Sequence, residues 1–348
     1  MRILGIESSC DETSVAVVEN GRKILSNIIF SQEKMHRPFN GIVPEIASRS
    51  HLEKINFVLK KALLQAGLSF SKTTPPQIDA IALTTGPGLI GSLIVGKMTA
   101  EALSWVWKLP IIEVNHLEAH FYAPLLQHPN LKPPFLGLVV SGGHTELIHV
   151  KDFGVYEVLG RTRDDAAGEA FDKVAHILGI GYPGGPRIQE YAKKGDSKAF
   201  PFTRPYLKNS WDFSFSGLKT AVLYTWNKIP QNKKNKKLLC DLSASFQSTI
   251  VEVLTYKTIL AAKQLGLKKV LIGGGVSANA LLKKQLAEEG RKEKINIYFP
   301  LLELSTDNAG MIAGIGFYKA KQIFKTSGLN PVSSTRVHPN LPVSNWAA

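Results

Sequence analysis

Two histidines four residues apart are the clearest chemical feature of this sequence. His116 and His120 stand in the segment Asn115-His116-Leu117-Glu118-Ala119-His120. On a helix this spacing places both imidazoles on one face, within reach of a single metal ion. A metalloprotease H-E-x-x-H site has its glutamate directly after the first histidine, whereas Glu118 would lie about 200° around the helix from His116. The pair therefore predicts a metal site without a peptidase's general base; two histidines that bind no metal are the alternative.

A third metal ligand is required, and Asp307 is the candidate. It stands in Ser305-Thr306-Asp307-Asn308, directly before the last apolar helical pattern of the chain. A carboxylate completes a set of two imidazoles for a transition metal. The alternative is that Asp307 caps the N-terminus of that helix.

A glycine-rich turn at residues 85–91 matches G-x-G-x-x-G between a predicted strand and a predicted helix. Glu113 follows at about the distance of the ribose-binding acid in a dinucleotide fold. Three hairpin-linked strands precede this unit, however, and the rigid Pro87 occupies the middle of the turn. We therefore do not favour a dinucleotide-binding dehydrogenase.

Two further glycine turns could hold a nucleotide. Residues 141–145 (Ser-Gly-Gly-His-Thr) join two predicted strands, and glycines there let backbone N–H groups approach a phosphate. A plain tight hairpin is the alternative. Residues 273–279 run from a strand into a helix N-terminus, which favours an anion or a nucleoside and places Asn279 near a base or sugar. No G-x-x-x-x-G-K-[ST] motif occurs, which excludes P-loop chemistry.

The composition predicts a cytoplasmic protein with a polyanionic partner. The 348 residues carry a net charge of +14, which favours nucleic acid, although general solubility would explain the charge equally well. Cys10 and Cys240, the two cysteines, lie in no disulfide or metal pattern. The longest uncharged stretch, residues 80–96, is too short for a membrane span and is broken by Gly-Pro-Gly.

The elements that must position these residues occur in the order βββαβαβα, twice. Strands are predicted at residues 3–6, 14–19, 23–30, 78–84, 111–114, 135–140, 146–150, 156–160, 270–272 and 295–299. Helices are predicted at residues 46–66, 91–107, 116–126, 243–265, 278–289 and 307–324. An insertion at about 164–241 interrupts the second copy and contains two short helical patterns.

Duplication of this unit resembles the actin, hexokinase and heat-shock ATPase superfamily. The resemblance implies an α/β protein whose two halves face each other around a nucleotide, with the insertion over the cleft. The expected limits are 1–130 for the first domain, 131–325 for the second and 326–348 for a C-terminal tail. A fold analogy of this kind cannot name the reaction.

The motifs taken together resemble the bacterial tRNA N6-adenosine threonylcarbamoyltransferase family (TsaD), formerly called O-sialoglycoprotein endopeptidases. The matching segments are residues 5–13, 44–49, 85–89, 115–120, 140–145, 164–173, 182–186, 213–220, 273–279 and 306–308. The resemblance implies transfer of the threonylcarbamoyl group from threonylcarbamoyl-adenylate to N6 of the adenosine beside the tRNA anticodon, with AMP as the leaving group.

The resemblance also implies the site residues. His116, His120 and Asp307 correspond to the ligands of one iron or zinc ion. The nucleotide contacts correspond to Val139, Val140, Ser141, Gly142, Gly143, Asp172, Gly185 and Asn279. Asn115 replaces the first histidine of the family's usual double-histidine segment, which is not a ligand position, and we expect no consequence.

Asp11 and Glu12 follow the first strand and are our candidates for positioning or deprotonating the attacking adenosine amine. The alternative is that these acids orient a water molecule near the metal.

Basic residues with interspersed aromatic rings in and beside the insertion predict tRNA phosphate contacts. They are Arg187, Lys193, Lys194, Lys198, Arg204, Lys208, Lys228, Lys233, Lys234, Lys236 and Lys237, with Tyr206, Trp211 and Trp226. A solvated lysine loop is the alternative for residues 233–237.

The resemblance further implies two protein partners: a catalytically inert paralogue of the same fold (TsaB-like) and a small P-loop ATPase (TsaE-like). The helices predicted at residues 46–66 and 91–107 are the expected contact surface. A kinase-like ATPase that binds ATP and a non-catalytic nucleotide-binding scaffold are the alternative functions.

Overall fold

The chain forms two five-stranded mixed sheets of identical topology in this computed structural model. The structure describes residues 1–69, 75–128, 130–207, 209–326 and 335–346, without the side chains of Lys325 and Thr326. The strands of the first sheet are β1 (Arg2–Glu7), β2 (Glu12–Glu19), β3 (Lys23–Ser31), β4 (Ala80–Gly86) and β5 (Ile111–Asn115). Those of the second are β6 (Phe135–Val140), β7 (Thr145–Asp152), β8 (Val155–Arg161), β9 (Lys269–Gly273) and β10 (Asn296–Tyr298).

The strand order is β3-β2-β1-β4-β5 in the first sheet and β8-β7-β6-β9-β10 in the second. In each sheet the first strand runs antiparallel to the second and parallel to the fourth. The Asn20-Gly21 turn joins β2 and β3 with positive φ at both residues, as its sequence predicts. The predicted α/β class and its duplicated βββαβαβα order are confirmed.

The helices of the first half are α1 (Glu33–His36), α2 (Pro44–Gln65), α3 (Ile90–Trp107) and α4 (His116–Tyr122). The second half continues with α5 (Ala167–Ile177), α6 (Gly184–Ala192), α7 (Ser216–Lys228), α8 (Lys236–Gln264), α9 (Ala280–Lys292) and α10 (Ala309–Thr326). Among the described residues, no helix is both long and apolar enough to cross a membrane.

Two compact units result, one around each sheet. The first consists of residues 1–133, 152–156 and 300–348, and the second of residues 134–151 and 157–299. Helix α10, which completes the second repeat in chain order, packs on β1, β2 and β4 of the first unit. Gly5 permits this approach, because a Cβ there would overlap the carbonyl oxygen of Ala309.

The strands of the first sheet are apolar on both faces because helices cover both. Helices α2 and α3 pack on the sheet strands, and α10 also contacts β1, β2 and β4. Every residue of β1 after Arg2 is buried, including Glu7 at its carboxyl end. In the second unit the core contains Phe171, Phe213 and Phe246.

Several predicted helix limits are wrong. Where the structure describes it, the insertion holds three helices, α5, α6 and α7, instead of two. Helix α8 begins at Lys236, well before the predicted residue 243, because the side chain of Asn235 accepts a hydrogen bond from Leu238 N (3.0 Å) and caps it. The helix at His116 ends at Tyr122 and continues as a 3₁₀ turn over Ala123–Leu126, which contains Pro124.

Candidate functional site

The two histidines and Asp307 meet at the carboxyl end of the first sheet. Helix α4 starts directly after β5, and Asp307 precedes α10. The His116 Nε2 atom lies 3.1 Å from His120 Nε2 and 3.5 Å from Asp307 Oδ1. His120 Nε2 lies 3.2 Å from the same Asp307 oxygen. One donor atom from each of two neighbouring histidines and from an aspartate distant in sequence therefore converges on one point.

These separations fit a metal ion. Ligands bound at about 2.0–2.2 Å with angles between octahedral and tetrahedral values lie roughly 3.0–3.5 Å apart. Two imidazoles and one carboxylate form a donor set that suits iron or zinc. Among the described residues, these three are the group that could hold a metal ion.

Glu7 orients the His116 ring through Nδ1, the nitrogen that faces away from Asp307. The His116 Nδ1 atom lies 3.0 Å from Glu7 Oε2, and Thr84 Oγ1 donates to the same oxygen (2.7 Å). The backbone N–H of Ser9 donates to the other oxygen, Oε1 (2.5 Å). A carboxylate behind a histidine fixes the ring orientation and leaves Nε2 free to coordinate. Sequence reasoning gave Glu7 no role; its signal was an acid at the end of an otherwise apolar buried strand.

The electrostatics of the cluster favour one positive charge. Burial opposes protonation of His116, but the Asp307 and Glu7 carboxylates outweigh burial and raise its pKa well above the usual value. Burial, reinforced by the neighbouring His116, lowers the pKa of His120. Burial opposes ionisation of Asp307, yet the two imidazoles lower its pKa. The buried Glu7 and the half-buried Asp307 carboxylates thus stabilise a single cation, which a metal ion can supply instead of a proton.

Asp307 does not cap helix α10, so the alternative interpretation of this residue is wrong. Its neighbour Asn308 takes that position, since Asn308 Oδ1 accepts a hydrogen bond from Met311 N (3.1 Å). The backbone of Ala309 donates to Ser14 Oγ (2.9 Å), which ties the start of α10 to β2. The Asp307 carboxylate is thereby left to face the histidines.

Asp11 and Glu12 lie half-buried at the turn from β1 to β2, in the same unit as the cluster. Burial and then the Asp307 carboxylate raise the pKa of Asp11. Burial, followed by the carboxylates of Asp11 and Asp307, raises the pKa of Glu12 well above its usual value. Both carboxylates are therefore better proton acceptors than ordinary exposed acids.

Two backbone amides of the glycine turn at residues 85–91 are bonded to other parts of the chain and cannot bind a dinucleotide. The N–H of Gly88 donates to Pro339 O (3.0 Å), and that of Leu89 donates to Ser9 O (2.8 Å). Gly86 must lack a side chain because a Cβ there would overlap the carbonyl of His338. The match to G-x-G-x-x-G thus reflects packing of the chain against itself.

In the second unit, the predicted turn after β6 leaves open space beside its glycines. Val139 and Val140 are buried in β6. The Ser141 N–H closes the turn by donating a hydrogen bond to His144 O (2.8 Å). A Cβ at Gly142 or Gly143 would meet nothing within 4 Å. These glycines are therefore not required by internal packing.

The turn after β9 lies directly against the turn after β6. Gly274 has φ of +90°, and a Cβ there would overlap the carbonyl of Val140. Asn279 caps helix α9 by accepting from Leu281 N and Leu282 N (3.0 Å each). Its amide nitrogen donates to Gln247 Oε1 (2.9 Å). Asn279 is thus fixed in place, with one amide hydrogen left over.

Asp172 and Gly185 lie where α5 meets the start of α6. Asp172 Oδ1 accepts a hydrogen bond from Gly184 N (2.7 Å). Gly184 packs so closely on α5 that a Cβ would overlap the Asp172 backbone, whereas Gly185 has open space beside it. Helix α6 is also linked to the start of α9, since Gln189 Oε1 accepts a hydrogen bond from Ala280 N (2.7 Å). The predicted nucleotide residues therefore surround the ends of β6 and β9 within one unit.

The two sheets place the chain in the actin, hexokinase and heat-shock ATPase class of folds. Full-length HypF in its phosphate- and nucleotide-bound form superposes with a TM-score of 0.60 at 16% identity, covering 94% of this chain and 56% of that one. Component A of (R)-2-hydroxyglutaryl-CoA dehydratase from Acidaminococcus fermentans gives a TM-score of 0.51 at 16% identity over 92% of this chain and 98% of that one. At these identities the likeness concerns the fold alone.

Sequence comparison narrows this class to one family. The model of the TsaD family, tRNA N6-adenosine threonylcarbamoyltransferase, matches residues 23–314. A protein of that name from Endomicrobium trichonymphae is 50% identical, with 99% of each chain covered. Another, from Caldicellulosiruptor saccharolyticus, is 49% identical over 92% of this chain and 93% of its own. The chain belongs to the tRNA N6-adenosine threonylcarbamoyltransferase family and is a transferase.

Proposed function

We propose that this protein transfers the threonylcarbamoyl group of threonylcarbamoyl-adenylate to N6 of the adenosine beside the tRNA anticodon. The N6 nitrogen attacks the carbamoyl carbon, the new N–C bond forms, and the C–O bond to phosphate breaks. AMP leaves with the bonding electrons, and the amine loses one proton. The convergence of His116, His120 and Asp307 at 3.1–3.5 Å in a member of this family is the observation that carries the proposal.

We assign His116 Nε2, His120 Nε2 and Asp307 Oδ1 as ligands of one iron or zinc ion. When bound, the ion would neutralise negative charge on the departing phosphate. Glu7 keeps the His116 ring in the orientation that points Nε2 at Asp307. The donor set suits either metal.

We assign Glu12 as the group that accepts the proton from the attacking amine, with Asp11 beside it. Its raised pKa supports this role, because a base works best when its pKa approaches the working pH. Glu12→Gln and Asp11→Asn separate the two acids. Full transfer rates in both variants would exclude both as the base.

We assign the adenosine of the adenylate to the second unit. The open turn at Gly142 and Gly143 offers backbone N–H groups, and the start of α6 at Gly185 offers a helix N-terminus. Asp172 is one partner for the ribose hydroxyls, Val139, Val140 and Ser141 form the edge of the turn, and Asn279 supplies its remaining amide hydrogen.

We assign tRNA phosphate contacts to part of the basic surface. Lys233 and Lys236 are exposed, and Lys234 lies over the Trp226 ring at 4.3 Å from its centroid. Arg204 is a weaker candidate because it makes two hydrogen bonds to Glu252 (2.7 and 3.0 Å). Lys208 lies outside the described residues.

We assign the exposed apolar side of α2 and α3 to the inert paralogue, with a small P-loop ATPase as the further partner. The exposed apolar residues on these helices are Leu52, Phe57, Leu64, Ile90, Ile94, Met98, Trp105 and Val106. Exposed apolar side chains in this number on two helices are typical of a protein interface. We assign the reaction to the cytoplasm, because its proposed substrates are tRNA and a soluble adenylate.

The test combines the protein, its two expected partners and unmodified tRNA with threonylcarbamoyl-adenylate, followed by digestion and mass spectrometry. The parent should form threonylcarbamoyladenosine, and Asp307→Ala should form none. Glu303→Ala, which removes a nearby exposed acid, should match the parent. If the folded, metal-loaded parent forms no product but hydrolyses ATP, the kinase-like ATPase function replaces this proposal.

A further inference from the structure

The last residues that the structure describes, 335–346, lie against the carboxyl ends of β4 and β5; we call them the C-terminal strap. The His338 N–H donates to Thr85 O (2.8 Å), and Pro339 O accepts from Gly88 N (3.0 Å). At its start, Thr335 donates to Glu101 of α3 through both its backbone nitrogen (3.0 Å) and its hydroxyl (2.9 Å). The glycine turn at residues 85–91 therefore binds the strap through backbone hydrogen bonds.

Asn115 connects the strap to helix α4. Its Oδ1 accepts hydrogen bonds from Leu117 N (2.9 Å) and Glu118 N (3.2 Å), which caps α4. Its Nδ2 donates to Leu341 O (3.2 Å) and Pro342 O (3.0 Å) in the strap. The Asn115 oxygen accepts two hydrogen bonds, and both of its amide hydrogens are donated, so these four bonds fix the orientation of the side chain. One side chain thus holds both the helix N-terminus and the strap.

Trp346 holds α4 at a second point. Its Nε1–H donates to Glu118 Oε1 (2.8 Å), and its backbone N–H donates to Gly154 O (2.9 Å). The indole packs on Gly154 so closely that a Cβ there would overlap the ring. Tyr156 donates a further hydrogen bond to the same Glu118 oxygen. Glu118 lies between His116 and His120 in sequence, so the strap holds the helical turn that carries both.

Helix α4 needs such support. It spans seven residues, too few to be stable through its own hydrogen bonds. Glu7 orients the His116 ring, but His120 Nδ1 has no hydrogen-bond partner among the described residues. The direction of the His120 ring therefore depends on packing and on where α4 is held.

We propose that the C-terminal strap is a positioning element for the metal ligands, acting on α4 through Asn115 and through the Trp346–Glu118 hydrogen bond. It keeps α4 in the rotation that brings both histidine Nε2 atoms onto Asp307. Asn115 and Trp346 contact neither substrate nor metal in this role and act through the helix. The proposal rests on the metal site proposed above.

The test measures Co²⁺ affinity of the full-length, metal-free chain by visible absorption, with the melting temperature of the same metal-free samples. Asn115→Ser keeps an oxygen that can cap α4 but loses both donors to the strap. Trp346→Phe keeps a ring over Gly154 but loses the donor to Glu118. We expect each variant to bind Co²⁺ about 10-fold more weakly and the double variant up to about 100-fold, as for groups that orient ligands.

The control is Trp105→Phe, a tryptophan on α3 with 66% exposure, which should bind Co²⁺ like the parent. Metal-free melting temperatures of the strap variants should stay within a few degrees of the parent. Parent-like Co²⁺ affinity in both single variants would overturn the proposal, as would an equal loss in Trp105→Phe. If Asn115→Ser does not fold, Trp346→Phe decides alone.

Failure of the metal site itself has a different signature. If Asp307→Ala binds Co²⁺ as tightly as the parent, the bound ion lies elsewhere, and the proposed metal site is wrong. If Asp307→Ala loses Co²⁺ while both strap variants keep it, only the positioning role fails.

Discussion

The carboxyl ends of the two sheets have the same topology and opposite chemistry. The first sheet ends in ionisable side chains, with Glu7 as the last residue of β1 and His116 directly after β5. The second ends in glycine turns, Gly142-Gly143 after β6 and Gly274-Gly275 after β9. The first therefore offers fixed charges, and the second offers backbone N–H groups and space.

This difference shows how one duplicated fold supports two tasks. Buried charges require partners, and Glu7 has hydrogen bonds from Ser9 and Thr84 as well as the contact with His116. A turn of backbone donors instead requires that two backbone segments lie close together. Gly274 permits this beside Val140, because it has no Cβ. The chemistry thus depends on the strand ends and not on the fold they share.

The largest expected effect is a loss of folding stability caused by a glycine substitution in the second unit. Gly274→Ala places a Cβ against the Val140 carbonyl and imposes a backbone conformation (φ +90°, ψ 160°) that alanine rarely adopts. We expect a loss of about 4 kcal/mol in the free energy of unfolding, measured by urea denaturation. The matched control Gly142→Ala meets no atom within 4 Å and should change stability by less than about 1 kcal/mol. Equal stability of the two variants would contradict the glycine argument.

The next effect concerns a buried charge of the first unit. Burial raises the pKa of Glu118 from 4.5 to about 7. Because the folded state favours the neutral acid, its stabilisation is complete below pH 4.5 and is lost as the pH rises towards 7. Relative to Glu118→Gln, the parent should lose about 3 kcal/mol of unfolding free energy across that range.

The measurement is urea denaturation of the parent and of Glu118→Gln from pH 4 to pH 8. Glu45→Gln, on the exposed surface of α2, is the control for removal of a charge. A stability difference between Glu118→Gln and the parent that is constant with pH would show that burial does not control this group.

A smaller effect is expected when Glu7 loses its charge. Glu7→Gln keeps the side-chain shape but weakens the carboxylate interaction with His116 Nδ1. We expect metal affinity to fall 10- to 100-fold by Co²⁺ titration, as is typical for groups behind a metal ligand. Glu19→Gln, on the surface end of β2, provides the comparison and should bind like the parent. Unchanged affinity in Glu7→Gln would remove Glu7 from the site.

The smallest effect is on tRNA binding by the second unit. Lys233→Gln combined with Lys236→Gln should flatten the dependence of log affinity on log salt by about 0.7–0.9 for each lost phosphate contact. The control is Lys23→Gln, which changes an exposed lysine of the first unit and should leave the salt dependence of tRNA affinity unchanged. A slope equal to the parent's in the double variant would favour the solvated-loop interpretation of residues 233–237.

Element order could be predicted from the sequence because it depends on local patterns. Apolar strands and helical periodicity predict the ten strands of the described residues, and most of their helices, to within a few residues of the observed positions. The insertion was harder, since α6 starts at Gly184 and α7 at Ser216 without a side-chain cap. Helix limits there depend on contacts with the rest of the second unit.

The metal ligands illustrate both limits of prediction. The spacing of His116 and His120 is a local property of a helix, so their shared face follows from the sequence. Which acid joins them does not, because Asp307 reaches the histidines only through the packing of α10 on the first sheet. Glu7 and Asn115 were missed as positioning residues because their partners lie far away along the chain.

By itself, the amino-acid sequence determined the duplicated strand and helix order, the histidine pair, the glycine turns and the family. These follow from residue types and short spacings, and their physical causes act within a few residues. Only the tertiary structure decided that Asp307 faces the histidines while Asn308 caps α10, and that the turn at residues 85–91 seats the C-terminal strap. The contact of Asp307 with the histidines and the contacts of the strap depend on close packing between segments far apart along the chain, as for Asn115 and Pro342, which are 227 residues apart.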